Sequence, residues 1–598
     1  MWGRRLRDSK IFHASKRLPL LAASIGLALA PTPVPAQDFR QSVPRLLEPQ
    51  SPIIETAPEA ALAPDDASPI LPHLKRLRFV PDPAFGAWPA KPEDPELLFI
   101  GLPLLDTPAF RARAAADLGA PASIASLNAL ARAAVATYRE AGRPLVDVAV
   151  PEQDVTDGTV TFVVREFVVG DVRVEGGRFT SAERIRNMIR LEPGQTVDQN
   201  ELLEDLNRIA ENPFRRVDLL YRRGEAPLTT DVVIRVTDRR PFRVYGSFEN
   251  NGTPQAGRER LAFGFNWGSF LGGDGQFAYQ FTASKDRFES RNGQPPGFRA
   301  HSITLVQPIS SSATAILFGT RQETSPDLGP AIGQTGESWQ LSPRLAFRIA
   351  SRADMRAQLT VGYDFKQTDN NLLFGGMLIS DESTQIHQLV TDLTVSRVWN
   401  AGLLSVSGSF YLSPGGIGSR NTDAAFQPAS GQLGTPFARA TYAYLRLGAS
   451  QTTPLGRSGA EAVTRWTGQI TTGNLLASEQ LSAAGPGLVR AYDPNLVLGA
   501  QGMLFAQEIW SPPIGPGGLS AGASRLRVGA FVDAGQVGNP DRLSSEARWQ
   551  RTASVGAMAR LELGRWLDLR VDYGTQLQTP PGQSRRGEIG HVSFVMGY

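Results

Sequence analysis

Over residues 241–598 apolar side chains recur at every second position, in segments of about ten residues bounded by turn-forming residues. Leu359, Val361, Tyr363 and Phe365 alternate with Thr360, Gly362, Asp364 and Lys366, and Leu567, Leu569, Val571 and Tyr573 alternate with Asp568, Arg570 and Asp572. Each such strand has one apolar and one polar face. In a soluble sandwich the apolar faces would meet in a core; in a transmembrane barrel they face lipid and the polar faces line a lumen. The connections favour the barrel. Residues 349–353 and 564–566 make short ones, whereas 367–384, 413–438 and 471–500 make long ones, as periplasmic turns alternate with outer loops. About sixteen strands fit, an even number as bacterial barrels require. After the N-terminal region no apolar run reaches the ~20 residues of a spanning helix, so a chain of this kind crosses a bilayer only as a closed barrel, the other structure that satisfies its own backbone.

Composition serves mainly to exclude. The 598 residues include no Cys and five His, which rules out disulfide frameworks, thiolate metal sites and cysteine nucleophiles and leaves little for a metal cluster. Lys+Arg 61 against Asp+Glu 58 is nearly balanced, without the clustered charge and interleaved aromatics of a nucleic-acid surface. Neither a Ser/His/Asp frame nor a Walker-type phosphate loop occurs. The chain is therefore expected to be no enzyme, with no cofactor, no metal and no nucleic-acid partner.

At the N-terminus Arg4, Arg5, Arg7, Lys10, Lys16 and Arg17 precede an apolar stretch over 18–30, and Val34-Pro35-Ala36 offers small residues for cleavage. Residues 1–36 read as a signal peptide. Residues 37–96, rich in Pro and Ala, read as a linker or plug arm, whose one helix candidate over 39–47 is interrupted by Pro44. From 97 the pattern turns α/β. Thr107 can cap a short helix; Leu127, Leu130, Ala131, Ala134, Val135 and Tyr138 mark one buried helix face; and strands over 146–150 and 159–164 flank the turn at Asp157-Gly158. A second unit over 168–240 repeats the order, with capping boxes at Thr180/Glu183 and Asp198/Glu201 and a helix burying Leu202, Leu206 and Ile209.

After the eleventh strand comes the Gly/Pro-rich loop at about 471–500, containing Gly485-Pro486-Gly487-Leu488-Val489-Arg490-Ala491-Tyr492. On a later strand Phe531, Asp533 and Gly535 share one face and Val528, Ala530 and Val532 the other, which points Asp533 into the lumen. A salt bridge between Arg490 and Asp533 would fold the loop inward. Glu508 shares parity with the apolar Leu504 and Trp510 and receives no role. Arg560, Glu562, Asp568, Arg570 and Asp572 read as the charged lining of a wet pore rather than a catalytic acid pair.

These stretches resemble the VRG[FY] loop and FxDxG strand motifs of the outer-membrane superfamily that includes BamA and the two-partner secretion transporters (TpsB), with Ala491 where Gly is usual. The two α/β units resemble POTRA domains of the TpsB type in the segments from Tyr138 to Gly142, from Val150 to Gly158 with Gln153, and from Asn212 to Val217. Two units favour the TpsB branch, of the ShlB haemolysin secretion/activation type. The resemblance implies POTRA domains over 97–167 and 168–240 in the periplasm and a barrel over 241–598 in the outer membrane. It implies type V export of an unfolded secreted partner, a haemolysin- or adhesin-like TpsA polypeptide, through the pore. The final strand, with Phe594 and the terminal Tyr598, resembles the assembly signal read by the barrel-assembly machinery, which with outer-membrane lipid completes the expected partners. Two other readings remain open: an assembly factor that inserts other barrels, and a general porin.

Overall fold

The structure is a computed structural model and describes residues 43–47, 52–54, 65–82, 95–270, 273–287, 296–329, 332–352, 354–374, 377–430, 437–515, 524–544, 546–579 and 586–597. The expected signal peptide and Tyr598 lie outside these residues.

The first unit contains β2 (Pro69–Leu71), β3 (Arg76–Val80), β4 (Leu97–Phe99), α1 (Pro108–Ala115), β5 (Ala122–Ser123), α2 (Ile124–Glu140), β6 (Val146–Ala149) and β7 (Thr159–Glu166), preceded by β1 (Ile53–Ile54). Its sheet runs β4-β3-β7-β6. Thr107 caps α1 by accepting from the Phe110 N–H, and Ser123 and Ser126 form a capping box on α2. The α2 face carrying Leu130, Ala131, Ala134 and Tyr138 packs on a sheet whose Phe79 and Phe162 rings stack 5.0 Å apart. Gln153 pins the loop before β7 by accepting from Thr161 N at 2.7 Å and donating to Thr161 O at 2.8 Å. One boundary differs from the sequence reading. Strand β3 is central in this sheet and Leu71, Leu74, Leu77 and Phe79 are in its core, so the unit begins within the stretch read as linker. Five residues of strand set among prolines are too few to show a period.

The second unit has β8 (Val168–Gly176), α3 (Ala182–Arg186), α4 (Gln199–Ala210), β9 (Arg215–Arg223) and β10 (Thr229–Asp238) in the order β1-β9-β10-β8. Leu202, Leu206 and Ile209 of α4 meet Val217, Leu219, Val232 and Ile234 of the sheet. Asp198 caps α4 as expected, but α3 is capped by Ser181 accepting from Arg184 N, not by Thr180. The Thr180 hydroxyl instead accepts from Arg215 at 2.9 Å, while its backbone N–H donates to Asp238. Arg215, buried, also reaches Asp274 at 2.7 Å in the first periplasmic turn of the barrel, and Glu211 and Asn207 contact Arg348 and Arg356 near another such turn. Strand β1 lies parallel on the outer edge of β9.

Sixteen strands close the barrel. They are β11 (Phe242–Glu249), β12 (Arg260–Phe270), β13 (Gly275–Ser284), β14 (Phe298–Pro308), β15 (Ala313–Thr324), β16 (Ile332–Ser351), β17 (Met355–Phe374), β18 (Met377–Trp399), β19 (Gly402–Pro414), β20 (Thr441–Leu455), β21 (Ala460–Thr471), and, after the short hairpin β22 (Leu481–Ser482) and β23 (Leu498–Gly499), β24 (Gln501–Trp510), β25 (Ser524–Gly538), β26 (Gln550–Leu563), β27 (Leu567–Gln576) and β28 (Glu588–Gly597). The barrel pairs are antiparallel, and β28 closes on β11 with Gly597 opposite Tyr245. Phe594, opposite Phe248 at this closure, sits in the last strand as expected.

Burial identifies the solvent on each face. Phe263, Leu341, Leu389, Phe410, Ile470, Phe505, Ile509 and Val532 are exposed on the outside, whereas Asn266, Gln280, Ser302, Thr304, Gln340, Asp364 and Gln388 are buried within. A soluble sandwich would show the reverse. Residues 367–384, read as a loop, continue the β17–β18 ladder; beyond the bilayer both faces of a hairpin can be wet, so polar residues do not end it. Residues 43–47 are not helical, and the rest of the helix candidate, 39–42, lies outside the described residues. Arg45 N donates to the Tyr245 hydroxyl, Asn266 donates to Arg45 O, and Leu46 packs on Val306, Ile316 and Ala346, so residues 43–47 lie against the inner wall of the barrel.

Candidate functional site

The β21–β24 connection, residues 472–500, folds back into the barrel. Its neck is held by the β22–β23 pair. Leu481, Ala483, Ala484, Val489, Tyr492 and Val497 pack together against Leu504 and Val537 of the wall, so burial of apolar surface brings the loop tip to a fixed place. Gly485 (φ 115°) and Gly487 (φ 74°) make the reversal that presents Arg490. Gly535 leaves room for it, since a Cβ there would sit 2.9–3.0 Å from Leu504, Ala483 and Val489.

The structure brings Arg490 and Asp533 together. Arg490 Nη2 lies 2.7 Å from Asp533 Oδ1, Nε lies 2.7 Å from Oδ2, and the Arg490 backbone N–H donates to Oδ2 at 3.0 Å. The two parallel bonds form a fork, and the guanidinium carbon sits 3.6 Å from the Phe531 ring centroid. Both partners are buried, Arg490 at 2% exposure and Asp533 at 0%. Glu508, unassigned from the sequence, is the third member. It accepts from Arg490 Nη1 at 2.8 Å, Arg465 at 2.8 Å, Arg570 at 3.1 Å and the Trp510 indole at 3.1 Å. Its apolar companions in parity, Leu504 and Trp510, also face inward, beneath the loop. An acid that shares a face with them is informative only once that face is known to be lumenal.

Two of the charges read as pore lining belong to the same network. Arg570 bonds Asp572 at 3.0 Å, and Asp572 lies 3.9 Å from Arg490. Asp533, Glu508 and Asp572 thus balance Arg490, Arg465 and Arg570, three against three. Arg560 instead bridges Asp568 and Glu562 among more exposed side chains, outside this cluster. Nothing here is arranged for chemistry. Every carboxylate faces a guanidinium, and among the described residues no cluster is suited to a metal ion.

The remaining motif residues hold the tip. Val489 is buried in the loop core; the Tyr492 hydroxyl lies 2.9 Å from Ala553 O and 2.8 Å from Gln578 O; Gln576 donates to Ala491 O at 2.6 Å. Ala491 has φ 66°, the left-handed conformation that costs an L-residue about 1–2 kcal/mol and a glycine little. This explains the usual glycine. Ala491→Gly is expected to favour the docked loop by about 1 kcal/mol, offset in part by the looser free loop, and so to lower spontaneous pore opening in bilayer recordings. Unchanged or more frequent opening would show that the backbone at 491 is not strained.

Two α+β units ahead of a sixteen-stranded barrel with an arginine-held inner loop define an outer-membrane transporter of the POTRA–barrel class. The chain belongs to the family of haemolysin secretion/activation proteins ShlB/FhaC/HecB, whose profile matches residues 229–561. Residues 96–166 match the ShlB-type POTRA domain, and 167–239 match the POTRA family described as surface antigen variable number repeat. In fold the chain is similar to CdiB from Escherichia coli (TM-score 0.64, 16% identity, covering 92% of this chain and 94% of that one) and to CdiB from Acinetobacter baumannii (TM-score 0.53, 16% identity, 92% and 95%). No curated protein sequence matches it. The protein is a non-enzymatic transporter of two-partner secretion, set in the outer membrane with its POTRA domains in the periplasm, and it exports a secreted partner through the barrel.

Proposed function

We propose that the partner is a large, unfolded haemolysin- or adhesin-like polypeptide collected by the two POTRA domains, and that the loop over 472–500 gates its path. The observation that carries the gate is the buried three-against-three network. It fastens a loop with no covalent tie across the route a chain must take, using groups that rehydrate when they separate in a polar lumen. Support for recognition comes from the sheet edges. Strand β9 already takes β1 as an added parallel strand, and an extended cargo can add to such edges through its backbone. Folding of the exported chain outside supplies direction, since the periplasm offers no ATP.

Coexpression tests this reading against the assembly-factor alternative. Release of one large secreted polypeptide, with the levels of other barrels unchanged, is expected; altered levels of many barrels and no released partner would favour the insertase. A general porin would conduct without residues 65–240.

Assembly adds a further expectation. If the aromatic end of β28 is read by the assembly machinery, deleting Tyr598 or substituting Tyr598→Asp lowers the heat-modifiable barrel in the membrane while the POTRA domains stay folded. Equal membrane levels would make the aromatic terminus incidental.

A further inference from the structure

We propose that Glu479, at the base of the same loop, is a second latch, so that the loop must be released at two places before a chain can pass. This rests on the gating reading above and adds residues that the motif pair does not include.

Glu479 ends a short 3-10 turn (Ala477–Glu479) and is fully buried. Its carboxylate accepts from Lys366 Nζ at 2.6 Å, the Tyr444 hydroxyl at 2.8 Å and Gln388 Nε2 at 3.2 Å, which belong to β17, β20 and β18. Gln388 is itself placed by Asp364 at 3.0 Å and by the Tyr442 hydroxyl at 2.9 Å. Above these groups Phe426, on a helix of the β19–β20 connection, packs with Leu475 and Leu476 of the loop and with Tyr442 and Tyr444.

The ring order gives the arrangement its meaning. Counting from β11, Glu479 is held by the seventh, eighth and tenth strands, and Arg490 reaches the twelfth, thirteenth and fifteenth. Asp493 then pairs with Arg258, in the connection between the first and second. The loop is therefore tied to separate sectors of the wall, and in ring order the Arg258 contact lies nearly opposite the Glu479 contacts.

These contacts add nothing to barrel closure, because the β17 to β21 ladder is complete through its backbone. They do suit a contact that opens. Lys366 and Glu479 are dry when paired, and both regain water in a polar lumen once the loop leaves.

The test uses the full-length protein in planar bilayers, with heat-modifiability as the folding control. Glu479→Gln alone is expected to raise open probability modestly, because the Arg490 end still holds. Combined with Arg490→Ala it is expected to raise it about tenfold above the product of the single effects, the size of coupling seen between contacts that act on one element. If Glu479→Gln changes nothing, alone or in the Arg490→Ala background, the second latch is wrong; if Glu479→Gln acts but Arg490→Ala does not, the Arg490 gate fails and Glu479 stands alone. Should Glu479→Gln lower the membrane level, Tyr444→Phe removes one donor and no charge, and unchanged opening there overturns the proposal.

Discussion

Arg490→Ala is expected to free the tip of the inner loop, raise pore conductance and impair secretion while the barrel still assembles. Its effect should exceed that of Asp533→Ala, and the reason is the charge count at the site. Removing Arg490 leaves Asp533, Glu508 and Asp572 with Arg465 and Arg570 alone, and Asp533 loses its fork. Removing Asp533 leaves Arg490 still bonded to Glu508 at 2.8 Å. Breaking one side of a buried pair costs about 3–5 kcal/mol, and at these exposures little of that is screened. The double variant should be no worse than Arg490→Ala, since the orphaned carboxylate goes with it. Bilayer conductance and secreted partner per barrel measure both outcomes. Losses that add, or single variants with normal conductance and secretion, would mean that the pair does not hold the gate.

Much of this was legible in the sequence because barrel strands and motif residues obey short rules. The period of two assigns each strand its lumenal face and so points Asp533 inward, while the inward loop is what the motif resemblance implies. What escaped depended on contacts distant in sequence. Glu508 looks misplaced among Leu504 and Trp510 until those residues are seen to lie under the loop. Lys366, on a strand whose alternation was plain, shows nothing of Glu479, 113 residues away, because no local pattern encodes which loop descends onto which wall. Strand β3 is hidden among prolines, and the continuation of β17 and β18 past the bilayer looks like loop because polarity marks the end of the membrane, not the end of pairing. Ala491 is the converse case. The departure from glycine was visible in the sequence, yet its cost became clear only from a φ of 66°.

Deleting residues 65–166 is expected to abolish secretion and to leave a heat-modifiable barrel. The first unit has its own core, built on Phe79, Phe162, Leu130 and Tyr138, and in the described residues the ladder from β11 to β28 draws on none of it. The second unit keeps its attachment to the barrel through Arg215–Asp274 and Glu211–Arg348. It does lose Leu145, which packs in its core, and the bond from Arg143 to Thr196. A buried leucine contributes about 1.5–3 kcal/mol, a loss the rest of that core is placed to absorb, and protease resistance of the second unit checks it. The deletion must start at 65 rather than 97. A cut at 97 would leave Leu77 and Phe79 of β3 exposed in the periplasm, and any defect would then confuse misfolding with lost recognition. Secretion at normal levels from the clean deletion, with the second unit folded and the barrel in the membrane, would remove cargo recognition from the first unit and assign it to the second unit or to the barrel mouth.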